Sequence, residues 1–351
     1  MDIMLKYFPR SVVSKSPKLL LPFAGTFLTF VAFLPIADAQ IQINSGGIVD
    51  VTSNTGPVAI SNGTQLNVLN NGSVNGATSN NDFVLATVDD TSQLTVSTGG
   101  EVRGSTNQAD FTGVIASGNS TVSVMGGEIS GVTSNGDATG VIARDNSLVL
   151  LSGGRISSVG FSGVGTAVLL EQNARLEMTG GELASANDLV ANDDSTALLS
   201  GGSIAFSSIV ANDRAVIEVE SPTDFAFGRF TTNDDAHISI FGLTNSFGQY
   251  IANGNSSISI LGGDASGSEI FSNDQATVFL FGSEFDRPFG AVTDTTGIIS
   301  GILSDGTSFS YDFQRQSTAS IILAVPEPSS SLLLGLVSIG LFLTRSRKRQ
   351  K

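Results

Sequence analysis

The chain has 351 residues, 17 Lys and Arg against 32 Asp and Glu, a net charge of −15, and 14 % charged residues, against roughly 25 % in ordinary soluble domains. With no Cys, no Trp and one His, it has no disulfide scaffold, thiol nucleophile, zinc–cysteine site or two-histidine metal site. The acidic balance excludes nucleic-acid binding, which needs clustered Lys and Arg to displace counterions, while 40 % apolar residues suffice for a core.

Residues 1–39 read as a secretory signal. Lys6, Arg10, Lys15 and Lys18 form a basic stretch, the apolar run Leu19 to Ile36 follows, and Ala37-Asp38-Ala39 places small residues for cleavage before Gln40.

From 40 to 283 the chain repeats one phrase, as in GNSTVSVMGGEI (118–129), DNSLVLLSGGRI (145–156) and QNARLEMTGGEL (172–183). The first residue of the turn pair falls at Gly99, Gly126, Gly153, Gly180, Gly201, Ser221, Gly242, Gly262 and Gly282. The intervals are 27 and then 20 or 21, the period of a solenoid. Counting back from this pair, positions −4 and −2 are apolar, as in Val122/Val124, Leu176/Met178 and Ile258/Ile260. Position −6 is Ser or Ala, for example Ser120, Ala174 and Ala236. Alternation with period two predicts a strand with one buried face, entered from a tight turn. A second short strand precedes each phrase, such as VIAS (114–117) or YIAN (250–253), and a third follows the Gly pair, such as Glu128-Ile129-Ser130.

The expected fold is all-β: a parallel β-helix (solenoid) of about ten coils, with an N-terminal signal helix and a short C-terminal transmembrane helix. A β-sandwich is the alternative. Residues 284–324 lose the phrase and are expected to form a β cap over the last coil, whose open edge would otherwise expose unpaired backbone.

Residues 325–351 have three parts. Val325-Pro326-Glu327-Pro328 comes first, then the apolar run LLLGLVSIGLFL from Leu332 to Leu343, then Arg345, Arg347, Lys348, Arg349 and Lys351. As a helix the run reaches only about 18 Å, so it would span a membrane by thinning it, and the basic tail would keep the C-terminus cytoplasmic. This end resembles the PEP-CTERM sorting signal of Gram-negative bacteria, and residues 297–313 look like the lead-in common before it. The resemblance implies an exosortase partner, a membrane-embedded cysteine transpeptidase that cuts near the Pro-Glu-Pro. The same short signal is also catalogued as an ice-binding protein C-terminus.

Without both ends, residues 40–328 hold 8 cations, all Arg, and 30 acids, a net charge of −22. Such a surface stays soluble and repels anionic polymers unless divalent cations bridge them. Asp89-Asp90, Asp193-Asp194 and Asp234-Asp235 all recur at the start of the repeated strand, so they read as turn residues and no residue is assigned a catalytic role. His237, between Ala236 and Ile238, reads as an outward strand filler. No cofactor and no dedicated metal site is expected, although stacked Asn and Asp turns offer oxygen ligands that could hold Ca²⁺ weakly. Outward positions −5 and −3, such as Thr121/Ser123, Leu148/Leu150 and Arg175/Glu177, do not form the regular Thr array that ice binding needs.

These features predict a non-enzymatic exported protein, held first at the inner membrane and then in the cell envelope or outside the cell. Its expected role is structural or adhesive, with exopolysaccharide of a biofilm matrix as partner. A polysaccharide lyase or hydrolase is the alternative, and ice binding the third option.

Overall fold

The computed structural model describes residues 40–325 apart from 79–80, 206–207, 221–222, 227, 244–247 and 264–266, together with Leu28–Thr29. Among them the protein is all-β, with no helix. It divides into two compact units, residues 1–197 with 202–207, and residues 198–201 with 208–351.

In the first unit, two ladders of parallel strands run through successive repeats. One contains Phe83–Val88, Phe111–Ala116, Ala138–Ala143, Gly165–Leu170 and Asn187–Ala191. The other contains Gln93–Val96, Thr121–Thr133, Leu148–Gly160 and Arg175–Ala184. Register follows the repeat: Val122 pairs with Val149, which pairs with Leu176, and all three are fully buried. Positions −4 and −2 are therefore interior columns, and position −6 (Ser120, Ser147, Ala174) is buried at the turn.

That turn has one cause throughout. Asp145, Gln172 and Asp193 take positive φ of 57°, 60° and 58°, a left-handed conformation that Asp and Asn tolerate better than bulkier residues. The amides of Ser147 and Ala174 then donate to the carbonyls of Arg144 and Glu171.

One sequence expectation changes here. The strand carrying positions −4 and −2 and the run after the Gly pair stay separate at Gln93–Val96 and Glu101–Thr106, but merge into 13-residue strands at Thr121–Thr133 and Leu148–Gly160. Register shifts between Val124 and Glu128 absorb the bend, because the Gly pair lets the backbone turn without ending its pairing.

The second unit uses the shorter period. Gly228–Thr232, Gly248–Ala252, Glu269–Ser272 and Ser308–Arg315 form one parallel ladder. Val216–Val219, His237–Ile240, Ser257–Ile260, Thr277–Ser283 and Ser320–Ala324 form the other. Among the described residues these repeats show mostly two strands each, with Thr223–Ala226 as a third in one of them. Phe230 and Tyr250 stack inside, with ring centroids 5.7 Å apart.

Residues 284–324 continue the pattern and add antiparallel pairings to it. Thr296–Leu303 and Ser308–Arg315 form an antiparallel hairpin, and Gly290–Ala291 pairs antiparallel with Ile322 and Leu323. The same segment holds one more repeat, Ala319-Ser320-Ile321-Ile322-Leu323, in register with Ala276 to Leu280. An inserted hairpin and a missing Gly pair hide it in the sequence.

The signal segment 1–39 lies outside the described residues except for Leu28–Thr29. These two residues are extended rather than helical and pair in parallel with Val49 and Asp50, since an open strand edge accepts extended backbone. The expected C-terminal transmembrane helix also lies outside the described residues, among which no helix is long and apolar enough to cross a membrane.

Candidate functional site

The repeated acids set the charge of the described body. In several repeats the side chain at the left-handed turn position reaches back one repeat and accepts the amide of the equivalent turn residue. Asp145 Oδ2 accepts from Gly118 N at 2.9 Å, Gln172 Oε1 from Asp145 N at 2.6 Å, and Asp193 Oδ2 from Gln172 N at 2.8 Å. In the second unit Asp274 Oδ2 accepts from Gly254 N at 3.2 Å. Of the paired acids, Asp90 accepts likewise from Asn62 N, whereas Asp89 accepts from the Ser117 hydroxyl and Asp235 Oδ1 from the side-chain Nδ2 of Asn255. These carboxylates satisfy turn amides that the parallel ladders leave unpaired.

Beside them in the second unit runs a ladder of side-chain amides. Asn233 donates to Asn212 at 2.7 Å, Asn253 to Asn233 at 2.9 Å, and Asn273 to Asn253 at 2.8 Å. Asn253→Ala removes two of these bonds and strands half-buried partners. It should cost about 1–3 kcal/mol, read as a lower melting temperature, while Asn255→Ala, which loses one exposed bond, should cost less.

The Arg residues of the first unit sit against acids. Arg103 meets Glu128 at 2.9 Å, Arg144 meets Glu171 at 2.6 Å, Arg155 meets Glu182 at 3.7 Å, and Arg175 meets Glu177 at 2.9 Å. All are solvent-exposed pairs worth about 0–1 kcal/mol each. They pair all four Arg residues of the described first unit with acids.

Two titratable groups stand apart. Asp188 is fully buried opposite Ala167, in an interior column that holds Gly113 and Gly140 in earlier repeats. Burial pushes its carboxyl up to about 8; the amide of Ser185, donating to Oδ1 at 2.8 Å, opposes this, and Glu182 adds to it. Ser185 Oγ in turn accepts from Ser158 N at 2.8 Å, so Asp188 closes a buried polar cluster. Nothing in the sequence pattern separates this acid from the turn acids.

His237 places Nδ1 2.7 Å from Ser257 Oγ and Nε2 2.7 Å from Ser239 Oγ. Burial lowers its pKa, opposed by Glu218 and a hydrogen bond to Ser257, so the ring bridges neighbouring strands as a neutral group at pH 7.

The structure registers an outward face that the sequence leaves open. Thr112, Thr139 and Thr166 align in one column, beside Ile115, Ile142 and Leu169 in another. Gly113 and Gly140 separate the two columns, so the period-two pattern breaks there. In the second unit a cavity of about 310 Å³ lies where the hairpin meets the parallel ladder, lined by Glu269, Phe271, Thr296, Ile298, Asp312 and Gln314 among others. Among the described residues no group of three or more His, Asp or Glu is placed to hold a metal ion.

Of the sorting residues, only Val325 is described, and it is 59 % exposed directly after Ser320–Ala324. Pro326, Glu327, Pro328, Arg345, Arg347, Lys348, Arg349 and Lys351 lie outside the described residues, as do Ala37 and Ala39 of the signal. Gln40 is described. Its Nε2 donates to Val58 O at 2.9 Å, which ties the first residue after the expected cleavage point to the body.

The parallel ladders and the capped acids define an all-β repeat protein whose last described strand, Ser320–Ala324, is followed by a C-terminal tail. A family model for the PEP-CTERM protein-sorting motif matches residues 324–348 of that tail. The chain thus carries the mark of an exosortase substrate, an exported protein processed at a membrane. Comparison with curated proteins and with solved structures gives no match.

Proposed function

We propose that the protein is a non-enzymatic β-solenoid of the cell surface or extracellular matrix, structural or adhesive in association with exopolysaccharide. It is exported by a signal cleaved before Gln40 and sorted by an exosortase that cuts near Pro326-Glu327-Pro328. Residues Leu332 to Leu343 hold the precursor in the inner membrane of a Gram-negative cell, with the basic tail inside. The observation that carries the non-enzymatic reading is the turn column: carboxylates that a glycan-cleaving site would draw on are used, repeat after repeat, to accept backbone amides. The enzymatic alternative calls for acids from three or more repeats along one groove, and the cavity beside the hairpin presents two, Glu269 and Asp312.

Mass spectrometry of the mature C-terminus tests the sorting step. A chain ending near the Pro-Glu-Pro in cells with the sorting peptidase, and at Lys351 in cells lacking it, is expected. A tail ending at Lys351 in both overturns the reading.

Ice binding has one observation in its favour, the Thr112/Thr139/Thr166 column beside an aliphatic one. The column is only three residues tall and runs out into Val84 and Asn187. Thermal hysteresis of the exported protein decides that reading.

A further inference from the structure

We propose that the N-terminal edge of the mature chain is a self-association site, at which strand Ile41–Ile43 of one copy pairs antiparallel with the same strand of a second copy. The proposal rests on the signal-cleavage reading above.

Among the described residues, Ile41–Ile43 pairs on one side only, with Val58–Ile60. Ile41 N donates inward to Pro57 O at 2.8 Å, and Ile43 O accepts from Ser61 N at 3.2 Å. Backbone groups alternate in direction along a strand, so the amide and carbonyl of Gln42 point away from the protein. The adjacent edge strand, Ile48–Val51, is covered on its outer side by Leu28–Thr29. Those two residues belong to the segment that cleavage before Gln40 removes. Maturation therefore opens a second edge next to the first.

Native proteins defend such edges with charge, proline or a covering segment. Here residues 40–49, QIQINSGGIV, contain no charged residue and no proline, Asp50 is the one charge in the second edge strand, and Ile48 is 44 % exposed. The C-terminal repeat of the second unit is defended by antiparallel strands Gly290–Ala291 and Thr296–Leu303 and by Asp286, Arg287 and Pro288 nearby. A second copy is the occupant that the chemistry selects. On a two-fold axis through Gln42, the two Gln42 residues face each other and exchange both N–H to O=C bonds, the hydrogen-bonded pair of an antiparallel ladder. An uncharged strand also lets two strongly anionic bodies approach at their least repulsive point.

The test uses the full chain exported and matured in cells, with N-terminal sequencing and sedimentation velocity over a concentration series. A chain beginning at Gln40 and sedimenting at twice the mass of one chain is expected. Gln42→Pro removes only the outward amide, and Gln42→Glu opposes like charges across the axis; each should halve the mass with an unchanged far-ultraviolet spectrum. A monomer that begins at Gln40, or a dimer that survives both substitutions, overturns this proposal alone. A recovered chain that retains Met1 overturns the cleavage reading and this proposal with it.

Discussion

Replacing Asp188 with Asn raises the thermal stability of the protein at pH 8 and above and leaves it nearly unchanged below pH 4. The reason is the sign of the shift. In the unfolded chain this carboxyl ionises near its ordinary 3.8, whereas in the folded protein it holds its proton up to about 8. Between those values the folded state binds one more proton than the unfolded state, so stability falls as pH rises. The stability is fully present below the unfolded value and lost progressively until pH passes the folded value. At about 1.4 kcal/mol per unit, the loss is of the order of several kcal/mol. Asn keeps an oxygen for the Ser185 amide and presents an NH₂ where the protonated acid presents an OH, so it copies the neutral form at every pH. Thermal melts of both proteins from pH 4 to pH 9 test this. Parallel curves, with no gap widening between about pH 4 and pH 8, would show that Asp188 is ionised in the fold and that another group accepts its charge.

Asp188 also marks where sequence reasoning stops. The interior columns at −4 and −2 were legible because Val, Ile and Leu recur at fixed distance from a Gly pair, and every one sits inside. The turn acids were legible as turn acids because they recur with the same phrase. Asp188 is the second residue of strand Asn187–Ala191 in a repeat shortened from 27 to about 21 residues, and only the register opposite Ala167 shows that it faces the core. The Thr112 column was hidden for a related reason: Gly113 adds a second buried residue beside Val114 and breaks the period of two. The repeat at Ala319 to Leu323 was hidden by the hairpin inserted before it. Of the sorting signal, the order of motif, apolar run and basic tail was plain in the sequence, because that signal is read as a linear segment and depends on no fold.

The same registers couple residues that the sequence shows as unrelated. Gly76, Gly104 and Gly131 align in one column, and Ser158 follows them. Facing them inside the first unit are Phe83 and Phe111, and the position of Phe111 becomes Ala138 and then Gly165 in later repeats. Where the ring is present the column is Gly; where the ring has shrunk away, Ser158 fits and bonds to Thr166 O at 2.8 Å. A Cβ at Gly104 would lie 2.7 Å from Phe111 Cε2, and one at Gly131 would fall within the Phe111 ring. Phe111 is 1 % exposed, so its ring has no free space to enter. Gly131→Ala should therefore destabilise the protein by about 1–3 kcal/mol or more through overpacking. Phe111→Ala should cost about 3–5 kcal/mol through the cavity it leaves. The double variant should be more stable than the sum of the two losses predicts, because the new methyl enters the space the ring vacated. Thermal or denaturant unfolding of the four proteins measures this coupling. Strict additivity would mean that the ring and the glycine column do not share one volume, and that the stacking of these repeats is set by the backbone ladders alone.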